Sequence, residues 1–136
     1  MATHPQLLQT VLDTTDPRGL AEFYRELLGY RYRQGDEAPT DGTPEEPGWL
    51  VLTDGSQQLA FQRVDDLPRP TWPHPPGVPQ QLHLDFVVTD VDELEQQRER
   101  ALALGATQLL DRTDDLEEPL YVFADPSGHP FCVFVG

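Results

Sequence analysis

The sequence predicts a mixed α+β fold made of two copies of one strand-and-helix unit, and three observations lead to it. Laying the chain over itself at a shift of 74 residues puts Gln9 on His83, Asp16 on Asp90 and Leu20 on Leu94, and a two-residue insertion then brings Leu28-Gly29 onto Leu104-Gly105. Such self-similarity marks a duplicated supersecondary unit. Each copy also carries helix start and stop signals at the same place. Finally, the strands of both copies sort their side chains onto two faces, one apolar and one of mixed character.

The elements follow in chain order. In Leu8-Gln9-Thr10-Val11-Leu12-Asp13 the alternation sets Leu8 and Leu12 toward a helix and turns Gln9, Val11 and Asp13 away. Asp16-Pro17 is a helix cap followed by a proline at the first helical position, where its missing N–H costs nothing. Leu20, Phe23, Tyr24, Leu27 and Leu28 then form one apolar stripe, and Gly29 ends the helix. Residues 34–48 hold no strong apolar residue and five carboxylates, which reads as a mobile surface loop that has the option of acting as a lid. Asp54-Gly55-Ser56 before Leu59-Ala60-Phe61 matches Asp125-Pro126-Ser127-Gly128 before Phe131-Cys132-Val133. In the last strands, Leu59 and Phe61 oppose Ala60 and Gln62, while Phe131, Val133 and Val135 oppose Cys132 and Phe134. Between the copies runs a proline-dense stretch, Pro68 to Pro79, read as an extended connector whose Trp72 and His74 either dock on the body or cover a cavity mouth.

The second copy opens with Leu82-His83-Leu84-Asp85-Phe86-Val87-Val88, where Leu82, Leu84, Phe86 and Val88 share one face and His83 and Asp85 the other. Asp90 with Glu93 three residues on resembles a capping box, and Val91, Leu94, Ala101 and Leu104 mark a weaker stripe ending at Gly105. Repeat one is expected at about residues 6–66, the connector at 67–79 and repeat two at about 80–135, together forming one domain over 1–136. A face mixing Gln, His, Asp, Cys and Phe is unusual for open solvent and points to a semi-enclosed cavity.

Composition narrows the function classes. The chain has 24 carboxylates against 9 basic residues, all Arg, for a net charge of −15, which repels phosphate backbones and anionic lipid. Nucleic acid and membrane are therefore poor partners. No apolar run reaches a membrane-spanning length and no signal-peptide pattern opens the sequence, so a soluble, cytoplasmic protein is expected. The single Cys132 excludes an internal disulfide and a cysteine-cluster zinc site.

The stretches Val11 to Pro17, Phe23 to Tyr30, Leu82-His83-Leu84-Asp85, Leu104-Gly105-Ala106 and Phe123 to Phe131, in this order and spacing, resemble the vicinal oxygen chelate superfamily. This is the group of glyoxalase I, bleomycin-resistance proteins and extradiol dioxygenases, and the match is most similar to its small glyoxalase-like members. The resemblance implies two tandem βαβββ modules whose sheets curl around a cavity, and commonly a homodimer. It further implies metal ligands from the first and last strand of each repeat, which fall here on Gln9, His83, Ala60 and Cys132. Ala60 has no donor atom, although Gln62 shares its face, and Gln9, His83 and Cys132 make a poor set for a hard octahedral ion. No family-type metal is expected; if a divalent metal is present, Gln9 and His83 are its ligands.

The site expected from the strand faces comprises Gln9, Gln62, His83, Asp85, Cys132 and Phe134, facing one cavity that takes a small organic ligand. Three functions remain open on this reading: a binding protein without the full metal site, a divalent-metal-dependent lyase, isomerase or dioxygenase, and a metal-free enzyme using His83 or Cys132 or else a partner subunit whose cavity is vestigial. Simpler roles stand beside them. His83 can be a hydrogen-bonded pocket residue that Asp85 orients, Cys132 a small buried apolar residue, and His129 and His4 solvent-facing side chains.

Overall fold

A computed structural model describes residues 4–72 and 77–136; His74 lies outside the described residues. The chain divides into two units, Met1–Asp65 and Asp66–Gly136. The proline-dense stretch thus belongs to the second unit.

The first unit runs β1 (Thr10–Thr14), α1 (Pro17–Leu28), β2 (Arg31–Tyr32), β3 (Trp49–Thr53) and β4 (Gln58–Arg63). Its sheet order is β1-β4-β3-β2, with β1 and β4 parallel and the other pairs antiparallel. At the start of α1, Asp16 Oδ1 accepts the Gly19 N–H at 3.0 Å and Pro17 opens the first turn. Gly29 closes the helix with φ at 72°, a left-handed conformation that suits glycine, and its N–H donates to the Arg25 carbonyl at 2.9 Å. The stripe is buried as expected at Leu20, Phe23, Tyr24 and Leu27, against Leu12, Leu50, Leu52, Leu59 and Phe61 of the sheet. Tyr24 stacks on Phe61 with ring centroids 6.0 Å apart.

Two expectations need correction here. Leu8 does not pack on the helix: it is 68% exposed, and β1 begins only at Thr10. The ladder runs from Thr10 opposite Leu59, and β4 itself starts at Gln58 as the chain leaves the Asp54 turn, so no strand is available to pair the residues before Gln9. The loop at residues 34–48 is fastened at two points. Arg18 holds both Glu45 carboxylate oxygens at 2.7 and 2.9 Å and donates to the Asp36 carbonyl at 2.8 Å. The Asp36 carboxylate in turn accepts the Val51 N–H at 2.9 Å.

The second unit runs β5 (Leu84–Val88), α2 (Val91–Ala103), β6 (Thr107–Asp111), β7 (Leu120–Ala124) and β8 (Pro130–Val135). Its order, β5-β8-β7-β6 with β5 and β8 parallel, repeats that of the first unit, so each unit is a βαβββ module. Asp90 caps α2 by accepting the Glu93 N–H at 2.8 Å, and Glu93 accepts the Thr89 N–H at 2.8 Å. The stripe of α2 is shorter than expected. Leu94 and Ala101 are buried, but Val91 stands in the first turn, 52% exposed. Phe86, Phe123 and Phe131 fill the helix side of this sheet, with Phe123 and Phe131 stacked at 5.2 Å. Asp125, buried at 1% exposure, holds the turn before β8 by accepting the Ser127 and His129 N–H groups at 2.9 and 3.0 Å. His129 is half-buried there rather than open to solvent, and His4 is exposed.

Candidate functional site

Register decides which side chains can meet. In the second unit Asp85 stands beside Cys132 across the parallel β5–β8 pair, and Val122 stands beside Cys132 on the other flank. Neighbours across a ladder share a face, so Asp85, Cys132 and Val122 point to the side away from α2. Leu120 and Phe134, paired two residues along, continue that face. Leu84 and Phe86 pair with Phe131 and Val133 on the helix side. His83 ends the approach to β5, and its Nε2 lies 3.3 Å from Asp85 Oδ1. One donor atom from each of His83, Asp85 and Cys132 falls within 4.8 Å of the other two.

The face has an apolar floor and a polar end. Leu120, Val122 and Cys132 form a buried cluster on which Trp72, Leu109, Leu110 and Phe134 pack. The connector aromatic is therefore docked on the sheet of its own unit. Arg69 helps to hold the connector there, donating to the Pro126 carbonyl at 2.7 Å. The Trp72 ring meets the His83 ring edge-on at 5.3 Å, and its Nε1 is buried with no hydrogen-bond partner among the described residues. His83 Nδ1 lies 3.2 Å from Gln80 Oε1.

Cys132 is in the wrong state for a nucleophile. Burial, followed by the charge and hydrogen bonding of Asp85, pushes its thiol up to about 11. A reactive cysteine needs a cation or a free base beside it to form the thiolate. Here the adjacent group is a carboxylate, and His83 lies beyond it.

Gln9 and Gln62 belong to the first unit. Gln9 is half-buried just before β1, and Gln62 is exposed on β4 between Asp13 and Trp49. In that unit the position matching Cys132 is Ala60, flanked by Val11 and Val51 and fully buried. The hard-ion ligand set that the resemblance implies does not fit these residues: Ala60 has no donor and Cys132 replaces a carboxylate with a high-pKa thiol. The sequence sets Asp85 on the face of His83, as a ligand contact and as a group that can orient the imidazole, and the β5–β8 register brings it beside Cys132. The signal was its two-residue spacing from His83, which needed the strand pairing to bring Cys132 to it.

Among the described residues no helix is long and apolar enough to cross a membrane. No curated protein matches the chain. Among solved structures, a glyoxalase/bleomycin resistance protein/dioxygenase family enzyme from Burkholderia phytofirmans PsJN matches at 16% identity with a TM-score of 0.70, over 96% of this chain and 98% of that one. A mutant of the fosfomycin resistance protein FosX from Listeria monocytogenes, complexed with Mn(II) and 1S,2S-dihydroxypropylphosphonic acid, matches at 17% with a TM-score of 0.66, over 96% and 92%. Lactoylglutathione lyase from Agrobacterium tumefaciens matches at 20% with a TM-score of 0.62, over 99% and 96%. At these identities the likeness speaks for the fold. The model of the glyoxalase-like domain matches residues 9–134, nearly the whole chain, and with its two βαβββ modules the protein belongs to the glyoxalase-like family of the vicinal oxygen chelate superfamily.

Proposed function

We propose that the protein binds a small organic molecule on the helix-free face of its second sheet, without the full metal site of its superfamily. Trp72 carries this reading. Its ring lies on an apolar floor beside a polar pair, and its buried Nε1 has no acceptor among the described residues. Sites for small organic ligands combine apolar walls with a few converging polar groups. An orphaned buried donor costs about 1–3 kcal/mol, which a ligand oxygen at Nε1 recovers. In this reading His83, Asp85, Cys132 and Phe134 contact the ligand. The protein acts as a cytoplasmic homodimer with a small molecule as its partner. The Listeria structure supports the ligand class, since that protein holds a small phosphonate in the same fold.

The test is a thermal-shift screen of small organic compounds in the presence of chelator, on a Trp49→Phe background so that Trp72 is the remaining tryptophan. Compounds that raise the melting temperature are expected to change Trp72 emission as well. Trp72→Phe keeps the ring and loses the N–H, and is expected to weaken such a compound about tenfold. Hits that stabilise the protein but leave Trp72 emission and the Trp72→Phe affinity unchanged refute this site. A screen without hits refutes the binding function.

A further inference from the structure

The proline-dense connector meets the second sheet at two places, and the first is built to receive it. Buried Asp125 holds the turn before β8 through the Ser127 and His129 N–H groups, and the Pro126 carbonyl of that turn accepts the Arg69 guanidinium at 2.7 Å. Gly128 closes the turn with φ at 100°. A Cβ there would come within 2.9 Å of Arg69 Cγ, so the bare glycine leaves room for the arginine stem. Two residues after Arg69, Thr71 donates its N–H to the Val78 carbonyl at 2.7 Å. Trp72 follows and lies on Leu120, Val122 and Cys132, which is the second place.

Chain stiffness joins the two contacts. Pro68 and Pro70 flank Arg69 and fix φ on either side of it, so a restraint at the arginine is carried along the chain to Trp72. The docked position of Trp72 is finely balanced. Laying the indole on the floor removes apolar surface from water, but it also takes Nε1 out of water with no acceptor among the described residues. A group that gains by one effect and loses by the other is tipped by a single further bond, and the Arg69–Pro126 bond is placed to do so. Beneath the indole, Cys132 is left 8% exposed.

We propose that the connector is a strap over the helix-free face of the second sheet, that Arg69 on the turn at 125–128 is its latch, and that its opening admits molecules to Cys132 and the groups around it. Arg69 is a positioning residue that acts through Trp72. The strap regulates the small-molecule site proposed above and rests on that reading for its purpose, while the latch is tested without any ligand. A molecule that offers an acceptor to Trp72 Nε1 replaces the hydrogen bond lost on closing and holds the strap down.

The experiment uses the full chain, with iodoacetamide as the probe and Cys132, its single cysteine, as the reporter. Slow labelling of the folded protein through a local opening scales with the open population. Arg69 is exposed, so Arg69→Met keeps the stem and the fold and removes the bond to Pro126. It is expected to speed labelling about fivefold with little change in melting temperature. Arg69→Lys keeps a donor, and its rate should fall between the two. Trp72→Ala should speed labelling at least as much, and adding Arg69→Met to it should change nothing more, because the latch then has nothing to hold. Labelling of Arg69→Met or of Trp72→Ala at the original rate would overturn the proposal, since neither group would then cover Cys132. So would an equal gain from Arg69→Met with and without Trp72, which would mean that Arg69 steadies the turn alone. A failed latch leaves the compound screen unaffected, and a failed screen leaves these rates unaffected, so the two readings fall separately.

Discussion

The two modules share a strand order and differ in where their chemistry is spent. In the first, α1 buries Leu20, Ala21, Phe23, Tyr24 and Leu27, and the helix-free face at the centre of the sheet is Val11, Val51 and Ala60. In the second, α2 buries only Leu94 and Ala101, and its middle is held by polar contacts: Arg98 donates to Gln108 at 2.7 Å and lies over the Tyr121 ring, whose hydroxyl donates to Glu95. There the sheet centre carries Asp85 and Cys132. The comparison teaches that one topology tolerates opposite uses of the same positions. The module with the larger apolar helix interface presents an inert strand centre, and the one with titratable groups rests on a lighter interface.

Helix truncation breaks this comparison most directly. Phe23→Ala removes a side chain that is 3% exposed and is expected to cost about 3–5 kcal/mol, whereas Arg98→Ala on α2 is expected to cost less than about 1 kcal/mol, both read from denaturant midpoints. Equal losses would mean that the two interfaces carry similar weight.

The matched turns give the next effect. Asp125 and Asp54 each collect two backbone N–H groups, but Asp125 is buried and Asp54 is on the surface. Asp125→Ala strands its two donors in the interior and is expected to lower stability by about 1–3 kcal/mol. Asp54→Ala returns its donors to water, and its unfolding midpoint is expected to move much less. The backbone N–H groups of Gln57 and Ser56 hold the Asp54 carboxyl below its ordinary range, so this turn's contribution is lost only as pH falls through that lowered value.

A pH experiment sharpens the contrast at the strand centres. The Cys132 thiol ionises near 9 in the unfolded chain and is pushed up to about 11 in the folded one. Its contribution is therefore intact below about pH 9 and is lost as pH rises toward about 11. Cys132→Ser is expected to remove the first part of that alkaline limb, between about pH 9 and about pH 10, ahead of Tyr32 and Tyr121, whose hydroxyls burial pushes up to about 12. Alkylation by iodoacetamide at neutral pH should be slow until the protein is unfolded. Rapid labelling of the folded protein would contradict the environment described for Cys132.

The smallest effect concerns the loop at 34–48. Arg18→Met removes the contacts to Glu45 and to the Asp36 carbonyl but leaves the Val51 N–H on the Asp36 carboxylate, so faster amide exchange is expected around Glu45, with little change at Val51 or in melting temperature. Burial and the Glu45 carboxylate act oppositely on Arg18, with the hydrogen bond to Glu45 the stronger and raising its pKa; the same bond holds Glu45 below the ordinary carboxylate range, so the clamp is lost only in acid, as pH falls through that lowered value.

What could be read in the sequence was what short-range physics determines. The cap at Asp16-Pro17, the stop at Gly29, the Asp90–Glu93 box and the alternation in β5 and β8 all depend on neighbours a few residues away. The duplication supplied the rest of the topology. What escaped depends on distant partners: Leu8 is exposed because β4 begins too late to pair with it, and the acidic loop is fastened by Arg18, which lies 27 residues before Glu45. For the site, alternation put His83 and Asp85 on one face. The meeting with Cys132 and the choice between docked and loose for Trp72 required the register of β5 against β8 and the packing of the connector.

The parallel pairing of first and last strands also orders events in time. Thr10 waits for Leu59 and Leu84 waits for Phe131, separations of about 50 residues, so neither module closes its sheet until its final strand has been made. During synthesis the first module can complete its ladder once β4 has emerged, while β5 has no partner until β8 has been made. The residues gathered around Cys132 thus find one another only after the first module has had the chance to close. A chain cut before Pro130 would leave β5 without its ladder partner and with the exposed Val87 beside an open edge, and such a product is expected to aggregate.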